Sequence, residues 1–139
     1  MPFISCNHND KYVIGYSDVP YLKYITWEGH FFDYYRVDLD DGKRRLIVQR
    51  NEPNLNFAPD GRFAVYYHET HWFMVDMNDL SKTNLTADLD VPFADEDHDY
   101  PKPAPGYGVA GWVKGDRAVF IYDKYDIWRV PTDGGEPTR

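Results

Sequence analysis

Apolar and polar positions alternate in short runs along this chain, turn residues separate the runs, and the same alternation is written three times. The copies are Asn9-Asp10-Lys11-Tyr12-Val13-Ile14-Gly15-Tyr16, Asp60-Gly61-Arg62-Phe63-Ala64-Val65-Tyr66-Tyr67 and Gly115-Asp116-Arg117-Ala118-Val119-Phe120-Ile121-Tyr122. Each reads as a polar turn feeding a strand whose side chains point alternately to two faces. Each is followed by a shorter run, Tyr35 to Leu39, Phe73 to Met77 and Trp128 to Thr132, that reads as a second strand entering a second turn. One such unit cannot bury its apolar face alone, so the spacing predicts an array of stacked units.

The spacing also locates an insertion. Tyr67 and Val75 are 8 residues apart, as are Tyr122 and Val130, whereas Tyr16 and Val37 are 21 apart; the excess of 13 is placed between Asp18 and Asp33. Leu46 and Leu85 follow Val37 and Val75 by 9 and 10 residues, so the matching position after Val130 falls at 139 or 140. The chain is therefore expected to break off as its third unit starts a fourth strand, as an excised piece would.

In the second unit the expected strands are Asn54 to Ala58, Arg62 to Tyr67, Trp72 to Met77 and a fourth that starts at Asn84-Leu85-Thr86. Pro59-Asp60-Gly61 makes the first turn, since Pro presets φ, Asp bonds its own backbone and Gly accepts a positive φ. Asp40-Asp41-Gly42 and Thr132-Asp133-Gly134-Gly135 are read as hairpin turns. Four-stranded antiparallel meanders at this period are propeller blades. The expected fold is all-β, a partial β-propeller of three blades with almost no helix. Its blocks are 1–50 with an inserted loop at 18–33, 51–86, an acidic Pro-rich connection at 87–108, and a truncated 109–139. Either further blades lie in other sequence, or copies associate, two molecules giving six blades as a homodimer.

Composition narrows the partners. The chain has 139 residues, 42% hydrophobic and 17% aromatic, enough for a packed core. A formal charge of −8 argues against a phosphate-backbone partner, which needs clustered cations, so nucleic acid is not expected. No apolar run approaches the length of a membrane span, and no charged-then-apolar leader is present in this stretch. The single cysteine, Cys6, lies in Met1 to Cys6, which reads as a buried strand, and leaves the compartment unread.

The phrase Phe57-Ala58-Pro59-Asp60-Gly61-Arg62-Phe63-Ala64-Val65, followed by Met74-Val75-Asp76 and Lys82-Thr83-Asn84-Leu85-Thr86, resembles the WD40-like repeat of the TolB type. Val91-Pro92-Phe93, Asp95-Glu96-Asp97-His98-Asp99, Tyr107 to Trp112 and Tyr122 to Trp128 resemble the propeller part of bacterial serine peptidases of the prolyl oligopeptidase and dipeptidyl peptidase clan. The resemblance implies an exported parent, periplasmic or secreted, in which a propeller caps an α/β-hydrolase and gates or contacts a peptide substrate. The catalytic elbow of such a parent is Gly-x-Ser-x-Gly. Ser5, Ser17 and Ser81 stand in no such context, so no catalytic residue is assigned and the chain itself is expected to be noncatalytic, its partners being the hydrolase domain and the remaining blades. Dipeptidyl peptidases place a pair of glutamates on a propeller insertion to hold the substrate's amino terminus; here the insertion offers only Glu28 beside Trp27, and that role is not carried over. The competing reading is a TolB-like scaffold that binds a protein or glycan. A polysaccharide-lyase propeller would need metal-ligating histidines converging on a channel, whereas these are scattered.

The ligand-contact candidates lie in the insertion: Trp27, Glu28, His30, Phe31 and Tyr34, with Phe32 and Tyr35 beside them, an aromatic cluster able to stack on a peptide or sugar or simply to cover a blade edge. Trp72, Trp112 and Trp128 recur at repeat positions and are read as packing between blades. The acidic run Asp95, Glu96, Asp97 and Asp99 offers oxygens suited to Ca²⁺ but in no EF-hand spacing, and is read as a solvated crossover. His68 and His71 flank Glu69 and Thr70 in a hairpin turn; zinc needs three or four ligands, so no metal and no cofactor is assigned.

Overall fold

A computed structural model of the chain describes residues 2–5, 12–24, 31–51, 55–99 and 104–139. These form three antiparallel sheets, and the helical content among them is one 3-10 helix, Val19–Tyr24, inside the insertion. The all-β expectation holds. Short β-branched and aromatic runs bounded by Asp, Gly and Pro leave no stretch long enough for a helical stripe.

The first sheet has the order β1 (Pro2–Ser5), β2 (Tyr12–Ser17), β3 (Phe32–Asp38), β4 (Arg44–Asn51). The second runs β5 (Asn56–Phe57), β6 (Phe63–His68), β7 (His71–Asp76), β8 (Lys82–Asn84). The third is β9 (Val109–Trp112), β10 (Ala118–Tyr122), β11 (Ile127–Pro131), each strand beside its sequence neighbour. Each is a local meander of the kind that makes a propeller blade. The chain divides into two compact units, Met1–Leu55 with the first sheet and Asn56–Arg139 with the other two.

In the first unit the insertion is tied down by one buried carboxylate. Asp33, at the start of β3, accepts the Tyr21 hydroxyl at 2.6 Å and the Arg50 backbone N–H at 2.9 Å, joining the 3-10 helix to the end of β4. Burial, and then the bond to Asp33, push the Tyr21 phenol up to about 12. Arg36 reaches Asp38 at 2.9 Å along the same strand.

In the second unit, alternate residues of β6 and β7 (Phe63, Val65, Tyr67, Trp72, Met74) share a buried cluster with Val119, Ile121, Trp128 and Val130 of β10 and β11. This is the stacking that the period predicted. The acidic connection contributes a ring to this cluster: Phe93 is 1% exposed and lies edge-on to the Trp128 ring at 6.3 Å, and Leu89, Val91 and Ala94 pack against the same cluster. The connection then doubles back, Ala94 bridging Gly106 and Asp95 donating its N–H to the Pro105 carbonyl.

The strand limits differ from expectation at the tight ends. His68 pairs with His71 across Glu69 and Thr70, whose φ values of 48° and 73° make a two-residue turn of the type that continues strand twist, so the β6–β7 ladder gains a rung. The fourth strand, which the sequence starts at Asn84-Leu85-Thr86, runs instead over Lys82–Asn84 and stops there, because Asn84 caps the Thr86 N–H and the Thr86 hydroxyl oxygen accepts the Trp72 N–H. The first strand of this unit is Asn56–Phe57; Asn54 lies outside the described residues. In the third sheet Thr138 and Arg129 exchange both backbone hydrogen bonds. That is the pairing Thr83 makes with Met74 in the second sheet.

Candidate functional site

Two turns with the same hydrogen bonds build one end of the second unit. In the β5–β6 turn Ala58 donates to the Phe63 carbonyl and Gly61 to the Ala58 carbonyl; in the β9–β10 turn Val113 donates to Ala118 and Asp116 to Val113. Gly61 at φ 75° and Asp116 at φ 56° therefore occupy the same left-handed position, which Asp tolerates better than most side chains. The substitution brings a carboxylate to the joint. Asp116 is 1% exposed, and its two oxygens accept the backbone N–H groups of Asp60 at 3.1 Å and Arg62 at 3.3 Å.

Beside this latch is a cleft of about 440 Å³ whose lining includes Arg62, Arg117, Arg129 and Thr132, with Phe63 and Pro131 as its apolar side chains. Local structure fixes each group. Arg62 and Arg117 are the residues following the two equivalent turns, and Arg129 comes from β11. The Thr132 hydroxyl donates to the carbonyls of Asp116 and Arg117, at 2.7 and 3.0 Å. Arg62 lies over the Phe63 ring at 5.1 Å. The guanidinium groups of Arg117 and Arg129 are exposed and form no ion pair with the described residues. The carboxylates in the lining, Asp116 and Asp133, accept backbone N–H bonds, the latter from Gly135 at 2.9 Å. Three cations against two acids leave the cleft locally positive on a chain of net charge −8.

Of the residues singled out in the sequence, Trp27, Glu28 and His30 lie outside the described residues. Phe31 is half-buried, edge-on to Tyr21 at 6.3 Å and under the Arg50 guanidinium at 5.1 Å. Tyr34 is 7% exposed and packs with Tyr16 and Phe32 at 6.0 Å each; burial pushes its phenol up to about 12. His71 bonds the Thr86 hydroxyl at 3.0 Å, while His68 stands 3.8 Å from Glu69. Asp97 pairs with Lys124 at 3.2 Å. Among the described residues no group of three or more His, Cys, Asp or Glu side chains is gathered to hold a metal ion, and no helix is long and apolar enough to cross a membrane.

The arginine cleft was not among the sequence candidates. Its one signal was Arg62 and Arg117 at the same repeat position; Arg129 has an equivalent in Arg36 but not in the second copy, where Met74 stands.

No protein-family model and no curated protein matches the sequence. Among solved structures, TolB from Acinetobacter baumannii aligns at 15% identity with a TM-score of 0.49, over 93% of this chain and 29% of that one. The chain thus spans less than a third of that protein's length. The fold assignment rests on the three meanders themselves.

Proposed function

We propose that this chain is a noncatalytic propeller segment that serves as a binding scaffold for a partner. The observation that carries the reading is how its polar groups are used around the cleft. The Thr132 hydroxyl and the buried Asp116 carboxylate are engaged by the chain's own backbone, the exposed Asp133 accepts the Gly135 N–H, and the remaining charged groups of the lining are three guanidiniums, which bind but do not act as a general base near neutral pH. Such a lining supports recognition without acid–base chemistry.

A finer form of the proposal draws on the likeness of residues 91–99 and 107–128 to the propeller of prolyl oligopeptidase-type enzymes. In a parent of that kind this segment would contribute peptide contacts and shielding while a separate hydrolase supplied the nucleophile. Incubation with a fluorophosphonate probe and with a panel of fluorogenic dipeptide amides tests the noncatalytic reading: no labelling and no turnover are expected. Stoichiometric labelling of Ser5, Ser17 or Ser81 overturns it.

A further inference from the structure

We infer that the cleft formed by Arg62, Arg117 and Arg129 binds a ligand carrying two or more carboxylates; the inference rests on the scaffold reading and names what that scaffold holds. A guanidinium presents a planar fork of donors that meets a carboxylate through two parallel hydrogen bonds. The cleft supplies three such forks, from two turns and a strand, and Arg117 and Arg129 have no anionic partner among the described residues. Of the two acids in the lining, Asp116 is held by the Asp60 and Arg62 N–H groups, so it braces the wall that carries Arg62, and Asp133 accepts the Gly135 N–H.

The volume, about 440 Å³, falls in the range of small-ligand and side-chain pockets. Phe63 and Pro131 provide an apolar wall for the carbon skeleton between the charges. That wall favours carboxylates set apart on a carbon skeleton over inorganic phosphate, which has no apolar part to pack against Phe63 and Pro131. Two sources share this chemistry, the side chains of an acidic peptide and a free polycarboxylate.

The test titrates the full chain with acetyl-tetraglutamate amide, citrate and inorganic phosphate, followed by calorimetry and by the NMR signals of the arginine Nε–H groups. Saturable binding of the peptide or of citrate is expected. It should weaken about tenfold in R117Q and in R129Q, by loss of a charge-assisted pair in each, and hold in K43Q, which removes the same charge elsewhere. Tighter binding of the peptide assigns the site to an acidic protein segment, and tighter binding of citrate to a free polycarboxylate; either supports the inference. Absence of saturable binding, equal weakening in K43Q, or phosphate binding as tight as citrate overturns it. The peptide is recovered and weighed by mass spectrometry: an intact, unbound peptide defeats the cleft alone, whereas a cleaved one defeats the noncatalytic scaffold.

Discussion

The carboxylate of Asp116 accepts the backbone N–H of Asp60 at 3.1 Å across 56 residues of sequence, one turn of the repeat holding the turn before it. Its second oxygen takes the Arg62 N–H, so two donors depend on one buried side chain. D116A leaves both unpaired and should cost about 2–4 kcal/mol, while D116N, which keeps one acceptor and tolerates the left-handed backbone, should cost about half of that. Urea unfolding of the two variants checks the order. Equal stabilities for D116A and the parent would mean that the latch contributes nothing.

Glu69 and Thr70 both adopt positive φ in the two-residue β6–β7 turn, a conformation that costs most side chains and suits Asn-Gly. The double substitution E69N/T70G is expected to raise stability by about 1 kcal/mol without altering the sheet. A fall in the unfolding midpoint would show that the loss of the Thr70 and Glu69 side chains outweighs the relief.

Phe93 is fully buried in the second unit's core although it belongs to a connection. F93A should cost about 3–5 kcal/mol, the range for emptying a large buried ring. Gly106, on the returning limb, has no room for a methyl group: a Cβ there would stand 2.8 Å from Tyr67 Cδ2 and 3.1 Å from Trp72 Cζ2. G106A is therefore expected to destabilise as well, and near-UV circular dichroism should report loosening around the tryptophans in both variants. Unchanged spectra in both would contradict the seating of this segment.

Tyr21 and Tyr34 are held neutral to about pH 12, in each case first by burial. A raised folded-state value means that the native protein keeps a proton that the unfolded chain gives up near pH 10, so this stabilising contribution is complete below about pH 10 and is lost as pH rises from there towards 12. Absorbance at 295 nm during alkaline titration should show a late-ionising fraction of the 12 tyrosines, coincident with unfolding of the first unit. Y21F removes the phenol and should shrink that fraction. Ionisation of every tyrosine near pH 10 in folded protein would refute the assignment.

Much of the fold was legible because it is local. The three strand-turn copies locate the strands, and Pro59-Asp60-Gly61 and Asp40-Asp41-Gly42 specify their turns by φ preference and side-chain capping alone. What stayed hidden depends on separation in space. No pattern around Phe93 distinguishes a core ring from one more apolar residue in an acidic loop, and Asp116 reads as an ordinary turn aspartate until Asp60 and Arg62 are brought beside it. The cleft was hidden for the same reason: its three arginines are contributed by positions 62, 117 and 129, each unremarked within its own strand or turn.

The place of Phe93 bears on how such a molecule can be recombined. A sheet transplanted without the stretch that follows it would arrive with a ring-sized void at its joint, so the exchangeable part is a meander together with its trailing connector. Shuffling experiments that cut at strand ends should fail where cuts placed after the second limb of the connector succeed.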